Sequence, residues 1–345
     1  MAIPAAFEDR LRLPLIQSPM FIASTPKLVI ENCKAGVVGT FPALNQRSSE
    51  GFEAWLIEIK STLADWGNET GEKAAPFGVN LIVHRSNPRL MADLEICVKQ
   101  QVPLIITSLG ASADLIEAVH GYGGLVFHDV INARHARKAA GVGVDGLIAV
   151  SVGAGGHGGV TNPFALVSEI RQFFDKTVLL GGSLSNGKDI AAAELMGADM
   201  AYMGTRFLNT HEAQVDDAYK QLIIESSAND IVYTPKISGV NANFIRKSVE
   251  DAGIDLGDST RKVDLDFGSE MDVDANEKTI HKRPWLDIWS AGHGVGSIQD
   301  ISSVAQLVET LSHEYHEAID THQKKYTRRQ RNSVHTHQIA QTEEA

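Results

Sequence analysis

One histidine set among glycines is the stretch whose residue types most suggest chemistry: Ser151-Val-Gly-Ala-Gly-Gly-His-Gly-Gly159. Five glycines let the backbone approach a ligand closely and reach positive φ without strain. His157 supplies an imidazole that titrates near neutral pH and suits general-base work. Such a loop in isolation is equally a surface turn, so its weight depends on what accompanies it. Two further segments, Gly181-Gly-Ser-Leu-Ser-Asn-Gly-Lys-Asp189 and Tyr202-Met-Gly-Thr205, follow apolar runs and combine glycine with the hydroxyls of Ser183 and Thr205. Turns of this kind cradle phosphate through backbone N–H groups and helix N-termini. The plain alternative is an ordinary strand-to-helix turn. Gly153 to Gly158 also fits G-x-G-x-x-G, but the acid that a dinucleotide site needs is misplaced: Asp175 precedes the next strand instead of ending it.

Other candidates fit known chemistry less well. His313-Glu-Tyr-His316 spaces its histidines three apart, not the four of a zinc-protease helix. Cys33 and Cys97 make neither a disulfide framework nor a metal set, and no metal is expected. His128 ends an apolar strand and points to the same face as His157, with a structural role equally open. Met20, Met200 and Met203 read first as core filler. The 345 residues carry a net charge of −12, which argues against a nucleic-acid partner. No run of about 18 apolar residues appears, so no membrane span is expected and a cytoplasmic location is the default.

These loops need a scaffold, and the rest of the chain provides one. Short apolar strands are predicted at 13–20, 37–40, 77–83, 104–107, 124–128, 146–150, 177–180 and 199–203, with helices between them. Continuous apolar strands alternating with helices indicate parallel βα units buried on both faces. Eight such units predict an α/β fold, a (β/α)₈ TIM barrel, with a doubly wound open sheet as runner-up. Gly143-Val-Asp-Gly-Leu-Ile-Ala-Val and Gly197-Ala-Asp-Met-Ala-Tyr-Met-Gly echo each other two units apart, which favours the barrel. The barrel domain is placed at 13–325. Within it, 205–300 is an insertion or lid after strand eight, irregular or extended over Ile231 to Val240 and acidic over Glu250 to Lys278, followed by a C-terminal helix. Residues 326–345 are expected to be a disordered polar tail.

The ordered set of motifs resembles the nitronate monooxygenase (2-nitropropane dioxygenase) family of flavin mononucleotide (FMN) barrels. The resemblance rests on Pro14-Leu-Ile-Gln-Ser-Pro-Met20, Phe77-Gly-Val-Asn80, Ala154-Gly-Gly-His157, Gly181-Gly182, Met196-Gly-Ala-Asp199, Met203-Gly-Thr-Arg-Phe207 and Ser290-Ala-Gly-His-Gly-Val-Gly296. It implies FMN as cofactor, held by Asn80, Gly155, Gly182, Tyr202, Met203, Gly204 and Thr205, with Met20 near the ring and His157 facing the substrate. It implies oxidation of a nitroalkane or nitronate by O₂. Val150, Gly153 and His293 stand where many members carry Gln, Glu and Gln. The alternatives are an NAD(P)H-dependent enoyl-thioester reductase of the related flavin barrels and a non-catalytic barrel subunit. A homodimer is compatible with all three.

Overall fold

The computed structural model describes residues 3–258, 260, 263 and 284–343, with side chains followed to residue 329. Its strands are β1 (Leu15–Gln17), β2 (Gly39–Pro42), β3 (Phe77–Ile82), β4 (Leu104–Ser108), β5 (Leu125–Val130), β6 (Gly146–Val150), β7 (Gly156–His157), β8 (Thr177–Gly181), β9 (Met200–Met203), β10 (Ile231–Thr234) and β11 (Ala242–Ile245). Eight of them form one parallel sheet in the order β1-β9-β8-β6-β5-β4-β3-β2. The sheet closes on itself between β1 and β2, where Gln17 N donates to Val38 O at 2.9 Å and Val38 N to Leu15 O at 3.3 Å. The Gln17 side chain completes the seam by accepting from Thr40 N at 3.0 Å. The expected (β/α)₈ barrel is the fold, and closure leaves its sheet no open edge.

Side-chain alternation along each strand sorts the residues into two cores. Ile16, Val38, Ile106, Phe127, Ile148, Leu179 and Met200 fill the lumen. Val79, Ile105, Val126, Leu147, Val178 and Leu180 face the helices. Helix α1 (Ala5–Glu8) plugs the N-terminal end with Phe7, whose ring centroid lies 6.3 Å from that of Phe127. Outside run α2 (Pro26–Lys34), α3 (Ser49–Thr70), α4 (Leu90–Lys99), α5 (Ala113–His120), α6 (Ala133–Gly141), α7 (Pro163–Arg171) and α8 (Gly187–Leu195). The internal echo has a structural cause. Asp145 and Asp199 each accept from the second amide of the strand next door, Val126 N at 2.9 Å and Val178 N at 2.8 Å, and pin the strand entrances.

After β9 come α9 (Thr205–Leu208), α10 (Asp217–Glu225), β10, β11 and α11 (Arg246–Asp251), and then α12 (Val304–Glu343). Val304, Leu307, Val308 and Leu311 of α12 take the place of the eighth outer helix against Leu13, Leu28 and Ile190. The helix does not stop at Lys325 but continues to Glu343. The stretch predicted as irregular or extended is extended over β10, which pairs antiparallel with β11, and β11 pairs with β7. Most of the acidic segment from Glu250 to Lys278 lies outside the described residues. Among the described residues no helix is long and apolar enough to cross a membrane, and no cluster of His, Cys, Asp or Glu is arranged to hold a metal.

Candidate active site at the barrel mouth

The lumen's last inward layer is its floor at the C-terminal end, where barrel chemistry is found. Alternation places Asn80, Ser108, Asp129, Val150 and Tyr202 there, each two residues beyond a position turned into the lumen. Asn80 Nδ2 donates to Ser108 Oγ at 2.8 Å, and Ser108 Oγ donates to Asp129 Oδ2 at 2.6 Å. Burial pushes the Asp129 carboxyl up to about 6, against the lowering effect of the Ser108 bond. Its other oxygen, Oδ1, is buried without a partner. Burial first, and the Asp129 charge second, hold the Tyr202 phenol well above its ordinary value. His128 faces the other way. Its Nδ1 shares a hydrogen bond with Thr107 Oγ1 at 2.7 Å, and burial lowers its pKa to about 4, so it belongs to the outer wall.

Above this floor, four loops meet in a cradle of small residues. A Cβ on Gly155 would lie 3.0 Å from Gly292 N and 3.1 Å from Thr205 Oγ1. One on Gly204 would lie 2.6 Å from Ser18 Oγ and 3.7 Å from Met20 Sδ. Gly182, at φ 117°, abuts Ser151 and Val152, and Ser183 N donates to Gly153 O at 3.3 Å. Thr205 Oγ1 accepts from Gly292 N at 3.0 Å, which joins the distant glycine cluster to the turn after β9. Arg206 is turned away and pairs with Asp300 at 2.7 Å. An anion in the cradle would therefore meet N–H groups and hydroxyls, with helix-turn amides rather than a cation as its ligands. The N-terminus of α8 contributes nothing, because Glu314 of α12 accepts from Gly187 N at 2.8 Å.

His157 lies differently from an exposed group on a small-residue floor. Residues far along the chain cover it: its ring meets Trp285 edge-on at 5.3 Å, and its Nε2 lies 3.1 Å from Ser238 Oγ. Ser238 Oγ also reaches Val240 O at 3.1 Å. With that hydroxyl proton spent on the carbonyl, Ser238 accepts from Nε2–H, and Nδ1 is the unprotonated ring nitrogen. Burial lowers the His157 pKa to about 4, so the imidazole is neutral at pH 7. The expected pKa near 6.5 is corrected accordingly: the three-stranded lid of β7, β10 and β11 buries what the loop's own glycines cannot. Asn243 Nδ2 holds Ala154 O at 2.7 Å, Ser290 Oγ accepts from Gly156 N at 2.7 Å, and Tyr233 Oη donates to Gly158 O at 2.8 Å.

Of the residues expected at the site, Asn80 and Tyr202 lie on the floor, and Met20, Gly155, Gly182, Gly204 and Thr205 line the cradle. Met203 does not bring its side chain there. It points outward into the core with Phe207 and Val304, and only its carbonyl, which accepts from Ser18 N at 2.8 Å, borders the mouth. Sequence reasoning passed over Ser108, Asp129, Ser238, Asn243 and Trp285. A two-residue period from Phe127 to Asp129 was the one signal available for the carboxylate.

A parallel barrel with a glycine cradle, a polar floor and a lidded histidine at its C-terminal mouth defines a cofactor-dependent barrel enzyme. A profile for Nitronate monooxygenase matches residues 9–314. The chain belongs to the nitronate monooxygenase family and is a flavin-dependent oxidoreductase. It is 29% identical over 66% of its length to a (3aS,4S,5R,7aS)-5-hydroxy-7a-methyl-1-oxo-octahydro-1H-indene-4-carboxyl-CoA dehydrogenase of Rhodococcus jostii, of which the match spans 61%. It is 24% identical over 77% of its length to a nitronate monooxygenase of Paraburkholderia phytofirmans, covering 83% of that protein. Among solved structures, nitroalkane oxidase from Streptomyces ansochromogenes superposes with a TM-score of 0.76 at 21% identity, over 92% of this chain and all (100%) of that one.

Proposed function

We propose that the chain is an FMN-dependent nitronate monooxygenase that oxidises small alkyl nitronates with O₂. The observation that carries this reading is the convergence of the cradle and His157 on one mouth. The cradle suits a single phosphate, and among the described residues no second unit beside it offers an adenosine site. Gly155, Gly182, Gly204 and Thr205 would hold the phosphate, Asn80 and Tyr202 would lie beneath the ring, and Met20 would lie at its side. When bound, the flavin would take electrons from the substrate and pass them to O₂.

His157 then has two tasks, set by the form of the substrate. With a neutral nitroalkane, Nδ1 is the atom able to take the α-proton, while Ser238 keeps the other nitrogen protonated. A buried imidazole with its pKa near 4 is a weak base for this step, because proton transfer loses driving force as base strength falls. A nitronate anion needs no deprotonation, and its charge would raise the imidazole's proton affinity. The site therefore favours the nitronate. Oxygen consumption by flavin-matched samples should be faster with the nitronate than with the neutral form. His157→Asn should lose about 10²-fold or more with the neutral form and less with the anion. No oxidation of either form by the parent would refute the substrate assignment.

A second reading, oxidoreduction of an acyl thioester, is favoured by the name of the Rhodococcus relative and by Val150 and Gly153 standing in place of Gln and Glu. Rapid anaerobic bleaching of the flavin by NADH or NADPH, or reduction by a CoA thioester, would select it.

A further inference from the structure

Asp129 is a buried carboxyl that this account leaves without a task. Phe127, two residues earlier, lies in the lumen against Phe7, so Asp129 points into the lumen as well. Its charge acts on Tyr202 of β9, which is not a neighbour of β5 in the sheet, so the two residues face each other across the mouth. One oxygen is committed: Asn80 donates to Ser108 and Ser108 donates to Oδ2. The other, Oδ1, is buried and has no partner. The remaining unpartnered buried polar atoms among the described residues belong to Asn32, Asp93, Arg206, Asn209 and Ser302, on α2, α4, α9 and loops outside the lumen. A buried acceptor left open costs desolvation until a donor arrives.

We propose that Asp129 is a cofactor-binding residue whose Oδ1 accepts a hydrogen bond from an N–H or O–H donor in the ring-and-ribityl part of a flavin on the mouth floor. This rests on the flavin reading and adds a ligand to it. The donor's source follows from chemistry. A nitronate and O₂ carry no N–H or O–H group, and an anion would be repelled by the carboxylate. A flavin offers an imide N–H on its ring and hydroxyls on its ribityl chain. The Asn80–Ser108 chain positions the carboxylate and keeps Oδ1, not Oδ2, facing the ligand.

The test uses the full-length apoprotein, titrated with riboflavin and with FMN and followed by flavin fluorescence. In Asp129→Asn, the amide oxygen would take the Ser108 hydrogen bond and turn its NH₂ toward the ligand, so that an imide N–H would meet a donor and a ribityl hydroxyl would lose a charged acceptor. Affinity should fall about tenfold or more, and by the same factor for both ligands, because they share the part that is bound. Thermal midpoints of the apoproteins check the fold. Should Asp129→Asn not fold, Ser108→Ala carries the test, since freeing the carboxylate should weaken both ligands in step. Unchanged affinities, or a loss confined to FMN, would overturn Asp129's role alone. A parent that binds neither ligand would overturn the flavin reading and this inference together.

Discussion

A Cβ on Gly153 would lie 2.3 Å from Ser183 Oγ and 2.9 Å from His293 Nδ1, and the residue sits at φ 81°. A larger side chain has no room there while His293 occupies that space. Gly153 and His293, two departures from the family's pattern, are thus one packing arrangement. Val150, the third, is buried against Ile148 and Ala154 in the lumen and offers no hydrogen bond. The cradle's glycines also divide by cause. Gly182 combines a left-handed φ with contacts to Ser151, so Gly182→Ala should lower the thermal midpoint and flavin occupancy together. Gly155 has no such φ, but its Cβ would press on the backbone of the Gly292 loop at 3.0 Å, so Gly155→Ala should lower occupancy with a smaller loss of midpoint than Gly182→Ala. Occupancy and midpoint measured on both variants check this, and equal midpoint losses would contradict it. The glycines were legible because their spacing after apolar runs is unusual. Asp129 was not, because one acid at a strand's end looks like the start of a loop.

At the scale of elements, the lid has the largest effect on chemistry. β7 is two residues long, too short for alternation to register in the sequence, and it pairs with β11 far along the chain, His157 against Ala242. Most barrel strands, by contrast, are four- to six-residue apolar runs placed within a residue or two of their ends, whereas β1 is shorter than the predicted 13–20 and β2 lies two residues beyond the predicted 37–40. Trp285 ties lid to loop: it stacks on Phe244 at 4.9 Å, meets His157 edge-on, and holds φ 68°, a strained value for so large a residue. Among the described residues, four of the five non-glycine residues at positive φ (Ile22, Leu109, Ser183 and Trp285) lie in loops on this face or its lid. Trp285→Ala should admit water to His157 and raise its pKa from about 4 toward the ordinary value, about 6.5. Nuclear magnetic resonance titration of the imidazole reads this directly. An unmoved pKa would mean that Ser238 and the strand pairing, not the indole, keep the ring dry.

Across the whole molecule, the barrel does two separate jobs. Its N-terminal end is closed by Phe7 and pinned by Asp145 and Asp199, which stabilises the fold and leaves the opposite end free for a polar floor. Its C-terminal end gathers loops that lie far apart in the chain: Gly155 meets Gly292, and Asn243 holds Ala154. Helix α12 closes the outer wall and caps α8 through Glu314, which occupies the Gly187 amide at that helix N-terminus. The fold class was legible from eight apolar runs, whereas these loop-to-loop contacts depend on three-dimensional closure that no local pattern carries. The proposed function requires the mouth to hold one flavin with one phosphate. The most direct measurement is the absorption spectrum of the purified or reconstituted protein, followed by denaturation and identification of the released chromophore. The account predicts a flavin spectrum and release of FMN at close to one per chain. Release of flavin adenine dinucleotide, or a protein that stays colourless after reconstitution, would contradict it.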